Sequence, residues 1–190
     1  MASDPMALPP DLPVPVDDGA AAHLPGTPMP ALALPSTAGG PMRVDQVPDG
    51  FDRLVVYAYP WTGQPGKPLL TPEWDLIPGA RGCTPEACSF RDHAAELREA
   101  GAAVVGLSTQ EADYQREAAE RLHLPFPLLN DAELRLAEAL GLPTFAVEGR
   151  VLLKRLTLVI RAGEIEHVFY PVFPPNTHAE EVLAWLRAAS

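Results

Sequence analysis

The sequence predicts an α/β sandwich in three layers. Three observations lead there. Short apolar runs alternate with helical patterns, a strand pair near the end is followed by one more helix, and Gly or Pro closes most segments. Residues 1–22 are rich in Pro, Ala and Asp and show no period of either kind. They are expected to form a disordered or loosely packed tail, leaving residues 23–190 as one domain.

Within the domain the elements follow in order. Pro30-Ala31-Leu32-Ala33-Leu34 and Met42-Arg43-Val44 flank Ala38-Gly39-Gly40, the pattern of a β-hairpin with a glycine turn. Leu54 to Tyr59 reads as a buried strand stopped by Pro60. Trp61 to Gly82 holds many Gly and Pro residues and two tryptophans; a loop this long inside a domain is usually functional. Thr84 to Ala100 has helical spacing at Ala87, Phe90, Ala94 and Leu97 and stops at Gly101. Val104-Val105-Gly106-Leu107 is a second strand. Helices are predicted over Ala112–Leu122 and Leu134–Leu140, the latter closed by Gly141 with Pro143 beyond. Leu156–Ile160 and Ile165–Tyr170 pair around Arg161-Ala162-Gly163-Glu164, and a last helix covers Ala179–Ala189.

Composition narrows the function. A hydrophobic fraction of 47% and a charged fraction of 21% are those of a soluble globular protein. A net charge of −11 argues against nucleic acid and against a polybasic membrane contact. No apolar run approaches the ~20 residues that span a bilayer. The start Met1-Ala2-Ser3-Asp4-Pro5 lacks the basic and apolar regions of a signal peptide, so a cytoplasmic location is expected. In a reducing compartment, a chain with two cysteines points to catalysis or redox sensing rather than a permanent crosslink. No metal is expected, because there is no second cysteine pair and the five histidines are scattered.

Cys83 lies where a helix should start and Cys88 lies one and a half turns inside it. Unpaired N–H groups and a partial positive charge collect at a helix N-terminus and favour a thiolate there. Cys83 is therefore the candidate nucleophile; the alternative is a pair of small buried hydrophobes. In an ideal helix, residues five apart have Cα atoms about 8.7 Å from each other. A disulfide needs about 4.4–6.8 Å. The pair can bond only if the first turns unwind, so the spacing fits a cycle with two shapes.

The run Gly82-Cys83-Thr84-Pro85-Glu86-Ala87-Cys88-Ser89-Phe90-Arg91-Asp92 resembles the active-site segment of peroxiredoxins, in the group called bacterioferritin comigratory protein or peroxiredoxin Q. The resemblance continues through Gly106–Thr109, Leu124–Asp131 and Arg155–Ile160 and covers about residues 24 to 190. It implies a thioredoxin-like three-layer α/β/α sandwich with an N-terminal β-hairpin. It also implies a thiol peroxidase that needs no metal, haem or flavin. Carried over, Cys83 is the peroxidatic cysteine, Cys88 the resolving cysteine that closes an intramolecular disulfide, and Arg155 the arginine over the peroxidatic sulfur. The implied partners are a hydroperoxide substrate and thioredoxin or a similar dithiol, with the chain a monomer or weak homodimer.

The chain departs from the family where a proline and a Thr or Ser usually stand, seven and three residues before the peroxidatic cysteine. Leu76 and Ala80 occupy those positions. Pro60 reads as the family's proline displaced by an insertion through Trp61–Ala80, with Thr62 as a substitute hydroxyl. Arg81 adds a local charge that either offsets the lost hydrogen bond or faces water. Tyr59, Trp61 and Trp74 are candidates for a peroxide pocket or for core, and Glu86 for helix capping or proton relay. His93, ten residues past Cys83, is too far along the helix to pair with it. Two competing readings are a thiol–disulfide oxidoreductase, weakened by the absence of Cys-x-x-Cys, and a non-catalytic redox sensor on a peroxiredoxin scaffold.

Overall fold

Strand β3 (Arg53–Ala58) is buried along its whole length, and its alternating side chains enter two different cores. Leu54, Val56 and Ala58 face one; Val55 and Tyr57 face the other. A strand apolar on both faces must be covered on both, which fixes three layers. The chain is described by a computed structural model over residues 4–190; residues 1–3 of the expected tail lie outside the described residues.

Five strands form the central layer. Beside β3 lie β4 (Ala102–Ser108) and then β5 (Leu128–Asn130), all parallel. On the other side β8 (Leu156–Arg161) and β9 (Glu164–Phe169) complete the sheet antiparallel. One outer layer contains α1 (Cys83–Asp92), α2 (Ala94–Glu99) and α5 (His178–Ala188). The end of α3 (Ala112–Arg121) joins them through Leu122. The opposite layer is built from α4 (Arg135–Leu140) and the hairpin of β1 (Ala33–Leu34) and β2 (Met42–Arg43). The thioredoxin-like sandwich and its N-terminal hairpin are thus both present.

Two details differ from the sequence reading. The helix expected over Thr84–Ala100 breaks at His93, whose ring nitrogen reaches the Ser89 carbonyl at 2.9 Å and competes with the backbone ladder. A further hairpin, β6 (Thr144–Val147) and β7 (Arg150–Leu153), turns at Glu148-Gly149, both at positive φ. Its inner face supports the insertion: Trp74 and Ala80 pack on Val147 and Leu152 in a small third core.

Tyr57 seats α1 on the sheet. Its ring stacks on Phe90 with centroids 4.5 Å apart and meets Phe126 edge-on at 5.8 Å. Gly106 on β4 makes the room: a Cβ there would lie 2.9 Å from the Tyr57 ring. Burying a ring this completely contributes on the order of 2–3 kcal/mol.

Residues 4–22 contain neither helix nor strand, yet several points fasten them. Lys154 and Tyr170 both donate to Asp18, at 3.0 and 2.8 Å, and hold its carboxyl down at about 2. Ala21 is buried in the core under α4. Among the described residues no helix is long and apolar enough to cross a membrane.

Candidate active site

Three chain segments converge on the Cys83 sulfur. The first is the N-terminus of α1, entered through Gly82 at φ +110°, where a Cβ would collide with the Pro175 ring. Only glycine suits that position. The second is the end of β3, where buried Pro60 precedes Trp61, whose backbone N–H faces the sulfur. The third is Arg155 at the start of β8, 3% exposed. One arm of its guanidinium (Nη2) donates to Cys83 Sγ at 3.2 Å and to the carbonyls of Ala80 and Arg81 at the same distance. The other arm (Nη1) donates to Glu86.

Glu86 is fully buried, and its second carboxylate oxygen finds no hydrogen-bond partner among the described residues. Neither capping nor a surface role fits that placement. It is the ion partner of Arg155, three residues after Cys83 on the same helix face, a spacing that offered the signal in the sequence. Removing one member of such a buried pair typically costs about 3–5 kcal/mol.

Opposing effects meet at the Cys83 sulfur. From its place at a helix N-terminus Cys83 is predicted to favour the thiolate, but burial pushes the thiol up, above its ordinary range. The charge of Arg155 opposes that rise, ionised Glu86 adds to it, and the Trp61 N–H pulls it back a little. Burial likewise raises the Glu86 carboxyl against Arg155 and His178. One buried cation therefore serves two acids, and their titrations belong to the pair. Glu86→Gln removes the competitor and is expected to lower the apparent pKa of Cys83. Thiolate absorbance against pH measures this; a rise, or no change, contradicts the assignment.

Cys83 opens onto a narrow cavity of about 30 Å³, lined by Trp61, Leu70, Trp74, Thr84 and Pro5 among others. That is room for about two groups the size of a water molecule. Trp61 and Trp74 thus wall the cavity, whereas Tyr59 packs in the core beneath it. Both cysteines are free. Cys88 lines a separate surface groove with Met6, Leu8 and Pro85, and the Met6 sulfur lies 3.9 Å from it. Because α1 runs unbroken through both positions, the two sulfurs stay apart in this state.

Several sequence candidates fall elsewhere. Thr62 is buried on Gln110, which accepts from its backbone N–H and donates to its carbonyl, and it does not line the cavity. Arg81 is buried too, but its guanidinium donates to Asp75 and to the carbonyls of Asp4 and Ala7. It anchors the N-terminal segment rather than the sulfur. Ala80 contributes its carbonyl to Arg155, and Leu76 is 73% exposed. His93 pairs with Glu180 and the Ser89 carbonyl, away from the cavity. The composition of residues 4–8 gave no sign that Pro5, Met6 and Leu8 would lie across both cysteines.

Comparison with known proteins identifies the family. The redoxin family matches residues 24–183. Peroxiredoxin Bcp of Escherichia coli (strain K12) is 32% identical over 162 residues, 83% of this chain and 92% of that protein. The chloroplastic peroxiredoxin Q of Oryza sativa subsp. japonica is 29% identical over 174 residues, 85% of this chain and 78% of its own. The crystal structure of peroxidoxin BcpB from Mycobacterium tuberculosis matches with a TM-score of 0.71 at 31% identity, covering 88% of this chain and 99% of that one. The chain belongs to the redoxin family and, within it, to the peroxiredoxins of the Bcp and Q type, which are thiol peroxidases.

Proposed function

We propose that this peroxiredoxin reduces hydrogen peroxide and organic hydroperoxides with Cys83 as the peroxidatic and Cys88 as the resolving cysteine. The observation that supports it best is the Arg155 guanidinium, held by Glu86 and two carbonyls and aimed at a sulfur that lines a cavity of hydroperoxide size. The Cys83 thiolate attacks the distal peroxide oxygen. A sulfur–oxygen bond forms, the O–O bond breaks, and the leaving oxygen departs with the electron pair and takes up the proton the thiol released. Sulfur ends as a sulfenic acid. Arg155 stabilises the thiolate and donates to the peroxide oxygens as charge moves.

Resolution needs a second shape. The first turns of α1 unwind, Met6 leaves Cys88, and the Cys88 thiolate attacks the sulfenic sulfur to give a disulfide and water. Thioredoxin or a similar dithiol then restores both thiols by exchange. The thiols carry the electrons themselves, so the cycle calls for no metal or other cofactor. Both cysteines come from one chain, which suits a monomer or weak homodimer, and the dithiol supply suits the cytoplasm. Stopped-flow peroxide loss in the presence of reduced thioredoxin tests the whole cycle. Sustained turnover is the expected result. Oxidation without turnover, or a marked preference for disulfide substrates, contradicts it.

A further inference from the structure

We propose that the Thr84 hydroxyl is a catalytic hydrogen-bond donor to the leaving oxygen of the peroxide; this rests on the peroxidase reading above. Thr84 is 1% exposed and lines the same cavity as Cys83. Its Oγ1 is buried and has no hydrogen-bond partner among the described residues. A buried hydroxyl without a partner typically costs about 1–3 kcal/mol. Such a group is expected where a substrate supplies the missing partner.

Among the other buried side chains lining the cavity, Arg81 is charged. The Arg81 guanidinium is occupied by Asp75 and the N-terminal carbonyls. Ala80 brings no side-chain donor, and Thr62 does not line the cavity. Arg155 reaches the attacking sulfur from the side of β8. Its Nη2 is already shared between that sulfur and two carbonyls, so a second donor at the proximal oxygen of a bound hydroperoxide complements it. As the thiolate takes the distal oxygen, the proximal oxygen acquires the electron pair of the O–O bond. The Thr84 hydroxyl donates to that developing alkoxide or hydroxide and keeps its own proton. The proton that finally neutralises the leaving group is the one Cys83 gave up. A donor placed where charge develops stabilises the transition state more than the bound substrate.

The test compares Thr84→Val, Thr84→Ser and the wild-type chain in two reactions at one pH. With hydrogen peroxide, Thr84→Val is expected to lose about 100-fold in rate, and Thr84→Ser is expected to recover most of it. With peracetic acid, whose carboxylate leaves without help, the loss is expected to be much smaller. Alkylation of Cys83 by iodoacetamide, which needs the thiolate but no such donor, is expected to stay unchanged in both variants. An undiminished peroxide rate in Thr84→Val overturns the proposal. So does an equal loss with peracetic acid or iodoacetamide, which marks a structural effect on Cys83, and so does a serine variant as slow as valine. A wild-type chain that consumes no peroxide overturns the peroxidase reading itself, and with it this proposal.

Discussion

Cys83→Ser is expected to abolish peroxide consumption, with a loss on the order of 10⁴-fold or more. A serine hydroxyl stays protonated where a thiolate forms, and it cannot be oxidised to the equivalent of a sulfenic acid. The fold should survive, because the change removes little volume and Arg155 keeps Glu86 and the carbonyls of Ala80 and Arg81. Stopped-flow peroxide decay, with circular dichroism to confirm folding, measures the outcome. A folded variant that retains even a tenth of the wild-type rate contradicts the role given to this sulfur.

The second large effect separates the two halves of the cycle. Cys88→Ser leaves the cavity, Arg155 and the attacking sulfur in place, since Cys88 lines a different groove. Its first oxidation is expected to run at the wild-type rate, while thioredoxin-driven turnover falls to a single event per chain. The sulfenic acid on Cys83 then lingers, reacts with a sulfenic-specific trap, and passes to the sulfinic acid under excess peroxide. Continued turnover with thioredoxin excludes Cys88 as the resolving residue.

How much of this was legible in the sequence depended on the range of the interaction involved. Strands β3, β4 and β8 announced themselves as apolar runs, because a strand buried on both faces carries little charge, whereas β9 alternates exposed Glu164 and Glu166 with buried Ile165. The three residues of β5 were too short to show a period, and the β6–β7 hairpin turns on Glu148-Gly149 rather than on an Asn-Gly or Asp-Gly signal. The break at His93 arises from a side chain competing for one carbonyl, which periodicity does not register.

In the site, Cys83 was marked by its place at a helix start and Arg155 through motif resemblance, and the structure brings Arg155 onto Cys83 but leaves Cys88 apart. Glu86 was read locally, as a carboxylate on a helix's first turn; its spacing from Cys83 placed it near the sulfur, but its ion partner lies 69 residues away. The force opposing the Cys83 thiolate was hidden for a related reason. The helix terminus was visible in the sequence, but the depth of burial that raises the thiol depends on the insertion and the N-terminal segment closing over it. Residues 4–22 lack any period because they form no regular element, and absence of a period does not reveal that Arg81 and Lys154 fasten them down.

Peptide mapping of the chain after one equivalent of hydrogen peroxide, before and after adding reduced thioredoxin, probes the central claim directly. The expected product is a link between the Cys83 and Cys88 peptides within one chain, lighter by two hydrogens than the reduced pair and opened again by thioredoxin. An oxidised sample with those two sulfurs unlinked, or linked only between separate chains, contradicts a cycle in which α1 opens to join them.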